Sequence, residues 1–479
     1  MASTKYGLRG SCGGGGKVVV VMVPFPAQGH LNQLLQLSRL ISSYNIPVHF
    51  VGTATHNRQA RLRVHGWNPL SAANIHFHEF PTANAAAAVS LHPNPPAESR
   101  FPAHLLSSYQ ATSLLRDPVG KLLRALAANN SRVVVIHDSL MGSVVQDAAS
   151  IPNAESYIFH SVSAFTIFLF IWEKMGKPFA VDADILRDLP SLEGCFSPEF
   201  ERFLKAQYDF LKFNSGRIYN TCRALEAPFL ELLSREEISG KKKQWALGPF
   251  NPVHVSNGGA SKTTHQQRHK CLAWLDNHTK NSVIFVSFGT TTSFSDEQIR
   301  EIATGLERSE QKFVWVLRDA DKTDIFSKEH RKIELPRGFE ERVRKRGLVV
   351  RDWAPQLEVL AHTSTGGFLS HCGWNSCMES ISMGVPMAAW PMHSDQPRNT
   401  VLVTKVLRIG IVVKDWDRRD QIVTSSAVEH AVKRLMATEE GERMRQRAAD
   451  FGCAMKKAVA DGGVSRMELD GFVDHIARS

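Results

Sequence analysis

Residues 17–52 read KVVVVMVPFPAQGHLNQLLQLSRLISSYNIPVHFVG, and this stretch decides the fold. An apolar run of strand length, 17–23, is followed by a proline-containing turn, 24–26, and by residues with helical spacing from about 31 to 44. A second short apolar run covers 48–52. The stretch therefore predicts a strand–helix–strand unit, which is typical of a parallel sheet covered by helices.

The same alternation returns further along the chain. An apolar run at 132–136 ends at His137-Asp138 and precedes helix-compatible residues 142–149. It starts again with a strand at 282–287 and a helix from about Asp296, where Ser295 and Gln298 form a capping-box pair. We therefore expect an α/β protein with two doubly wound, Rossmann-like domains. Further short strands are expected at 313–317, 348–352, 367–370 and 386–390.

Residues 248–267 are rich in Pro, Gly, Ser, Asn and His and lack periodicity, so we interpret them as the interdomain linker. The final residues carry an apolar helical face, which we expect to pack back on the N-terminal domain. Ligands of doubly wound sheets bind outside the carboxyl ends of the strands, so the site is expected in the cleft between the domains. The predicted division is a flexible tail 1–16, an N-terminal domain 17–247, the linker 248–267, a C-terminal domain 268–455 and a terminal helix 456–479.

The composition excludes several protein classes. With 479 residues, 43% of them hydrophobic, the chain can bury large cores, but its longest apolar runs are too short to span a membrane. The polar first 17 residues do not resemble a signal peptide, and seven scattered cysteines favour a reducing cytoplasm over a disulfide framework. The net charge of +10 comes from dispersed Lys and Arg, so we expect neither a nucleic-acid nor a membrane partner.

Several motif-like patterns have simpler explanations. Glycines 13–16 precede the first strand and lack the Ser or Thr of a phosphate-binding loop, and no G-x-G-x-x-G follows that strand. The Asp-Ala-Asp triplets at 182–184 and 319–321 resemble metal-binding carboxylate pairs, but we interpret them as solvated loops. His76 and His78 have metal-ligand spacing without accompanying Cys or carboxylates, and we interpret them as sheet-surface or pocket-lining residues.

The most informative stretch is 353–396, which reads WAPQLEVLAHTSTGGFLSHCGWNSCMESISMGVPMAAWPMHSDQ. It closely resembles, without a gap, the signature box of the plant family 1 UDP-sugar glycosyltransferases, and family-like sequence covers nearly the whole chain. The resemblance implies a GT-B fold, with two Rossmann-like domains facing a central cleft. Its residues suit a nucleotide sugar, because His371 to Ser376 follow a strand and begin a helix, where free N–H groups favour a diphosphate.

The resemblance assigns roles within this box. It implies stacking of Trp353 on uracil, a contact of Gln356 with the uridine moiety, and a contact of Glu379 with the ribose hydroxyls. The residues implied to contact the phosphates are His371, Asn375 and Ser376. Ser376 and Glu379 also have capping-box spacing, and the alternative interpretation is that they start a helix that ends at Gly384. Thr290 resembles a donor-phosphate loop, with an ordinary strand-to-helix turn as the alternative. The implied donor-binding residues are Thr290, Trp353, Ala354, Gln356, His371, Trp374, Asn375, Ser376, Glu379, Asp395 and Gln396.

Residues 24–33, PFPAQGHLNQ, resemble the catalytic-histidine motif of the family, which implies that His30 is the general base. An isolated histidine there would otherwise be interpreted as a helix-cap or surface residue. The family pairs its histidine with an aspartate, and Asp138 follows a strand whose carboxyl end shares an edge with the first strand. His137 and Asp147 are the alternative partners. Ser161 is a looser match to a family hydroxyl near the donor sugar, with an ordinary strand-end serine as the alternative.

The expected function is inverting transfer of glucose from UDP-glucose to a hydroxyl of a small apolar acceptor. In this family a terminal glutamine, here Gln396, usually accompanies glucose, and xylose stays open. The stretches 25–36, 55–61, 64–67, 75–79, 222–226 and 318–321 resemble the zeatin O-glycosyltransferases, which implies a cytokinin side-chain hydroxyl as the acceptor; a flavonoid or other phenol is the alternative. A non-catalytic nucleotide-sugar sensor is the hypothesis from another class. We expect no metal, no further cofactor, and a cytoplasmic monomer.

Overall fold

The computed structural model describes residues 18–64, 67–81, 109, 112–182, 186–187, 189–255, 268–290, 294–318 and 334–478. Within these residues two parallel β-sheets form the framework. The predicted tail 1–16, residues 256–267 of the predicted linker, and the Asp-Ala-Asp triplet 319–321 lie outside the described residues, as do the last two residues of the triplet 182–184.

The first sheet has the strand order β3-β2-β1-β4-β5-β6-β7 in the described part of the chain, and all of its pairings are parallel. Its strands are β1 (Val18–Val23), β2 (Val48–Thr53), β3 (Ile75–Phe80), β4 (Arg132–Asp138), β5 (Ala154–His160), β6 (Gly216–Tyr219) and β7 (Lys243–Ala246). The helices in this part are α1 (Gln28–Ser42), α2 (Ala54–Arg63), α3 (Arg116–Asn129), α4 (Ala164–Lys174), α5 (Pro198–Tyr208), α6 (Arg223–Ser234) and α7 (Glu236–Ser239).

The second sheet has the order β10-β9-β8-β11-β12-β13 among the described residues and is also parallel. Its strands are β8 (Val283–Ser287), β9 (Lys312–Val316), β10 (Gly347–Val350), β11 (Thr365–Ser370), β12 (Met387–Ala389) and β13 (Gly410–Val412). The helices are α8 (Lys270–Leu275), α9 (Asp296–Ser309), α10 (Phe339–Val343), α11 (Gln356–Ala361), α12 (Trp374–Met383), α13 (Gln396–Val401), α14 (Ser425–Ala437), α15 (Glu439–Val459) and α16 (Val464–Ala477). The two sheets confirm the predicted α/β class and the GT-B arrangement of two Rossmann-like halves.

The continuous apolar run in β1 is explained by burial on both faces of the sheet. Val20 packs into one hydrophobic cluster and Val21 into another on the opposite face, and both are fully buried. Helix starts and stops also follow the sequence: the Ser295 hydroxyl accepts from Gln298 N at the start of α9, and Gly384 ends α12 in the left-handed conformation. Local sequence therefore determines much of this framework.

The last helix, α16, packs against the first sheet although it follows the second sheet in the chain. Phe472 and Ile476 are fully buried in the cluster of the first sheet, and the Phe472 ring meets Tyr157 edge-on at 5.4 Å. Glu468 Oε2 accepts a hydrogen bond from Ala246 N on β7 at 3.0 Å. The terminal helix was expected to begin at residue 456. In the structure α15 continues through that residue, and the separate last helix begins at Val464. The other domain bounds stay predictions.

Residues 142–149 differ from the predicted helix. Short 3-10 turns at Ser139–Met141 and Gln146–Ser150 lie here instead. The reason is tertiary packing: Ser143 N donates to Gln207 Oε1 on α5, and a side chain at Gly142 would approach Phe210 Cβ to 3.1 Å. In the described part of the chain, no helix combines the length and the hydropathy that crossing a membrane requires.

Candidate active site

A cavity of about 1080 Å³ lies where the loops after the strands of both sheets face each other. The loops after β1 and β5 contribute to it from the first sheet, and those after β8, β10 and β11 from the second. Every residue expected to bind the donor lines this cavity, and so does His30. Asp138 is fully buried behind His30. The structure thus brings the predicted site residues together from positions 30 to 396.

His30 and Asp138 form a hydrogen-bonded pair. His30 lies in the first turn of α1, just after β1, and Asp138 ends β4, which pairs with β1. His30 Nδ1 lies 2.6 Å from Asp138 Oδ2, and Asp138 Oδ1 accepts from Leu140 N at 2.9 Å. A carboxylate can only accept, so Nδ1 carries the proton and Nε2 of the neutral ring has the lone pair that can accept another.

The electrostatics of His30 favour its use as a base. Burial lowers the pKa of the imidazole, but the charge and hydrogen bond of Asp138, aided by the charge of Asp395, raise it by more, so the net pKa lies above its usual value. The side chain is 22% exposed, toward the cavity. The pair therefore stabilises an imidazolium that would form when Nε2 takes a proton.

The two alternative partners of His30 are engaged elsewhere. His137 Nδ1 lies 2.9 Å from the Asp138 carbonyl oxygen, and burial lowers the pKa of His137 to about 4. Asp147 forms ion pairs with Arg116 and Arg124 at 3.1 and 3.3 Å. Asp138 is consequently the aspartate that contacts His30.

The loop before α12 presents backbone N–H groups to the cavity. Helix α12 begins at Trp374 with Gly373 as its N-cap, and no side chain caps it. The His371 imidazole packs between two glycines: a Cβ at Gly289 or Gly373 would lie 2.7 or 2.5 Å from Nε2. Burial lowers the pKa of His371 to about 4, so the ring is neutral. Together with Thr290, these neutral groups form an anion-compatible pocket.

The nucleoside end of the pocket is organised by Gln356. Its Nε2 donates to Ser376 Oγ at 3.0 Å and to Glu379 Oε2 at 2.8 Å. The alternative capping-box interpretation of Ser376 and Glu379 is wrong, because α12 already begins at Trp374. Both side chains instead lie inside the first turns of the helix and line the cavity, next to Ala354.

The indole ring of Trp353 already has two guanidinium groups close to it. The guanidinium group of Arg63, at the end of α2, lies 4.6 Å from the centre of a Trp353 ring, and that of Arg318 lies 5.4 Å away. Such cation–π contacts contribute about 0.5–1 kcal/mol when exposed. A base that stacks on Trp353 therefore shares the indole with one guanidinium group or replaces it.

Asp395 and Gln396, the residues expected to bind the sugar, line the cavity at the start of α13. Gln396 Oε1 accepts from Met392 N and His393 N at 2.8 and 3.1 Å, so its amide nitrogen is the group that can bond to a ligand. Burial raises the pKa of Asp395 to about 6. The Trp374 indole N–H donates to the Asn220 carbonyl at 2.9 Å, so that N–H is not the group that would contact a sugar.

Sequence reasoning missed Asn399 and the hydrogen bonds that join the two halves of the site across the cleft. Asn399 Nδ2 donates to Asp395 Oδ2 at 2.6 Å, and its Oδ1 accepts from Ser163 Oγ at 2.9 Å and Thr166 Oγ1 at 3.0 Å across the cleft. Asn375 Nδ2 donates to the Gly29 carbonyl at 2.7 Å. The spacing of Asp395 and Asn399, four residues apart at a helix start, was the available signal.

Comparison with known proteins decides the family. Residues 16–252 match the family model described as "Glycosyltransferase, N-terminal domain", and residues 203–444 match "UDP-glucoronosyl and UDP-glucosyl transferase". The chain belongs to the UDP-glycosyltransferase family. The resemblance found in 353–396 is thereby confirmed, and the family's reaction is transfer of a glycosyl group from a UDP-sugar to an acceptor.

Curated members of the UDP-glycosyltransferase family match almost end to end. The chain is 58% identical to "Zeatin O-glucosyltransferase" of Phaseolus lunatus over 96% of this chain and 97% of the relative. It is 55% identical to "Zeatin O-xylosyltransferase" of Phaseolus vulgaris over 96% and 98%. "Cis-zeatin O-glucosyltransferase 1" of Zea mays is 40% identical over 96% and 98%.

Solved UDP-glycosyltransferase structures have the same architecture. Phytolacca americana UGT2, complexed with UDP-2fluoro-glucose and pterostilbene, superposes with a TM-score of 0.75 at 25% identity, covering 96% of this chain and 100% of that one. A Polygonum tinctorium UDP-glucosyltransferase capable of glucosylating indoxyl gives 0.75 at 27%, covering 97% and 99%. The cavity of this UDP-glycosyltransferase has a histidine–aspartate pair, an anion-compatible helix start and further polar side chains in its lining.

Proposed function

We propose that this enzyme transfers glucose from UDP-glucose to the side-chain hydroxyl of a zeatin-type cytokinin, with inversion at the anomeric carbon. The observation that carries this proposal is the His30–Asp138 pair at the cavity, joined with 58% identity over nearly the full length of a zeatin O-glucosyltransferase. The paired base argues against the sensor hypothesis, because a protein that only binds a nucleotide sugar has no need of it.

The proposed reaction is a single displacement. His30 Nε2 takes the proton of the acceptor hydroxyl while the oxygen forms a bond to the anomeric carbon. The bond from that carbon to the β-phosphate oxygen breaks, and UDP leaves from the opposite face. Asp138 stabilises the imidazolium, and a positioned base of this kind contributes on the order of 10² to 10⁴ in rate.

The donor is held by the second half of the site. We propose that the N–H groups at the start of α12, with Asn375, Ser376, His371 and Thr290, receive the diphosphate, without a metal ion or a further cofactor. Trp353, Ala354, Gln356 and Glu379 receive the uridine. Trp374, Asp395 and Gln396 receive the glucose. Among the described residues, no group of three His, Cys, Asp or Glu side chains has the arrangement of a metal site.

The proposed assignment places the acceptor in residues 17–247 and the donor in 268–455. We also propose that the enzyme acts as a monomer in the cytoplasm. The cysteines support a reducing compartment: the six that the structure describes are all free, and five of them are buried.

A xylosyl donor is the second candidate. The 55% identity to a zeatin O-xylosyltransferase, only slightly below the identity to the glucosyltransferase, favours testing it. Glucose and xylose differ by one hydroxymethyl group, and the two sequence identities differ by too little to decide between them as donors.

Product analysis by mass spectrometry tests the proposal. Purified protein is incubated with EDTA, with UDP-glucose or UDP-xylose, and with a panel of cytokinins and flavonols. A hexose added to zeatin is the expected result, and a pentose would replace the donor assignment. A flavonol product without a zeatin product would replace the acceptor, and loss of activity in EDTA that Mg²⁺ restores would contradict metal independence.

A further inference from the structure

The cavity continues beyond His30 along the face of the first sheet, and part of its floor is polar. Ile158 and His160 of β5 and Arg217 of β6 line it. The register pairs Ile158 with Arg217 and His160 with Tyr219, and paired residues of parallel strands share a face. Sheets of this kind normally present apolar side chains on both faces, so a histidine and an arginine here require an explanation.

His160 is buried, and its ring nitrogens have no hydrogen-bond partner among the described residues. Its side chain is 3% exposed and stacks on Tyr219 at 5.4 Å. Nη1 of Arg217 also lacks a hydrogen-bond partner among the described residues, whereas the rest of the guanidinium group interacts with the Tyr219 side chain. Buried polar groups are normally hydrogen-bonded, because leaving them unpaired is costly.

The reaction at His30 does not use these two residues. Asp138 bonds to His30, and neighbouring His137 bonds to the carbonyl of Asp138. Burial, with the charges of Arg217 and His137, lowers the pKa of His160 well below its usual value, so its ring is neutral and offers one donor and one acceptor. Arg217 offers only donors.

We propose that His160 and Arg217 form the subsite that recognises the nitrogen heterocycle of the acceptor. Arg217 donates a hydrogen bond to one ring nitrogen, and His160 exchanges hydrogen bonds with the same ring system. The inference rests on the proposed function, because zeatin is an adenine whose exocyclic nitrogen carries a hydroxylated five-carbon chain. It makes these two residues determinants of acceptor specificity.

The position of the subsite suits such an acceptor. Strands β5 and β6 lie one and two strand spacings, about 5 and 10 Å, from β4, where Asp138 supports His30. A hydroxyl at His30 on a short carbon chain therefore places the attached ring over β5 and β6. Apolar side chains of α4 and α5, among them Phe170, Ile171 and Leu204, line the same cavity and can cover the ring and chain.

The test compares two substitutions with a matched control. Arg217→Met removes the donor at similar length, and His160→Phe keeps a ring against Tyr219. Lys212→Met removes the same charge from an exposed lysine at the cavity edge. We measure kcat and KM for zeatin, for a flavonol and for UDP-glucose, and UDP affinity by calorimetry to verify the fold. The KM for zeatin is expected to rise about tenfold or more in the first two variants, with UDP affinity and any flavonol KM unchanged.

Zeatin analogues in which one ring nitrogen is replaced by C–H sharpen the test. With the wild type, the KM for one of these analogues should exceed the KM for zeatin by the same factor by which Arg217→Met raises the KM for zeatin. Arg217→Met should not raise the KM for that analogue any further. A wild type that glucosylates zeatin while both variants keep its KM would overturn this inference alone. A wild type that neither binds zeatin nor transfers sugar to it would overturn the proposed function, and the inference with it.

Discussion

The proposed donor and acceptor halves of the cavity differ in how the sequence encodes them. Almost the whole donor half comes from one contiguous stretch, 353–396, on the loops and helices that follow β10, β11 and β12. The acceptor half is assembled from β5, β6, α4 and α5, which are spread over residues 154–219. Donor recognition is therefore readable from a local motif, whereas acceptor recognition emerges only from sheet register.

The two halves also differ in how their polar groups are satisfied. In the donor half, Gln356 bonds to Ser376 and Glu379, and Asp395 bonds to Asn399. In the acceptor half, both nitrogens of His160 lack a partner among the described residues. The proposed donor half is thus preorganised by its own hydrogen bonds, whereas under our proposal the acceptor supplies the missing partner of His160.

Among the substitutions that leave His30 in place, the largest effect is expected from Asp138→Asn, which should lower kcat/KM by about 10²-fold at neutral pH while leaving UDP affinity unchanged. The charge of Asp138 raises the pKa of His30, and the base acts only when it is neutral. Removing the charge lowers that pKa, so the acidic limb of the pH–rate profile should move to lower pH. The kinetics are measured from pH 5 to 9.

Asp147→Asn is the control for this variant, because Asp147 is paired with Arg116 and Arg124 instead of His30. It should keep the wild-type rate and profile. If Asp138→Asn behaved like Asp147→Asn, the acidic partner of His30 would have no role in transfer.

A smaller effect is expected from Asn399→Ala, which should raise the KM for UDP-glucose about tenfold and change UDP affinity less, because Asp395 at the proposed sugar end loses its hydrogen-bond partner. Burial raises the pKa of Asp395 to about 6, and the Asn399 hydrogen bond opposes that shift. Loss of this hydrogen bond should raise the pKa of Asp395 further. As the pH is lowered, the KM for UDP-glucose should therefore begin to rise at a higher pH in the variant than in the wild type. Asn277→Ala, on an exposed helix end, is the control. An equal loss of UDP affinity would show that Asn399 supports the whole site instead.

The smallest effect is expected from Arg63→Ala, which should tighten UDP binding about two- to fivefold, because the base no longer competes with a cation–π contact on Trp353. Arg61→Ala is the matched control, since Arg61 lies over Phe77 and pairs with Glu79. Calorimetry with UDP compares the two. Weaker binding in Arg63→Ala would mean that the guanidinium contacts the nucleotide and does not compete with it.

Sequence patterns predicted the elements whose stability is local. The β1 run, the Ser295 cap and the end of α12 at Gly384 were all readable, because burial on two faces, capping and left-handed glycine leave direct signals. The turns at 139–150 were not, since they pack against α5, whose Gln207 side chain accepts a hydrogen bond from Ser143 N. Long-range packing decided that segment.

The residues of the site also divide into those that a motif predicts and those that only the fold brings into contact. A known motif carries the residues that line the donor half, but the motif does not show that the Trp374 N–H bonds to Asn220 or that Arg63 lies over Trp353. Nor does it place Asn399 between Asp395 and α4. These contacts join residues more than 100 positions apart or lie just outside the motif, so only the fold reveals them.

The most direct test of the account measures transfer and UDP binding on the same sample of His30→Ala. The account predicts that turnover of the acceptor falls by about 10² to 10⁴, whereas the calorimetric affinity for UDP stays within about twofold of the wild type. Retained turnover, or lost UDP affinity in a folded protein, would contradict the assignment of His30 as the base and the separation of the two halves of the site.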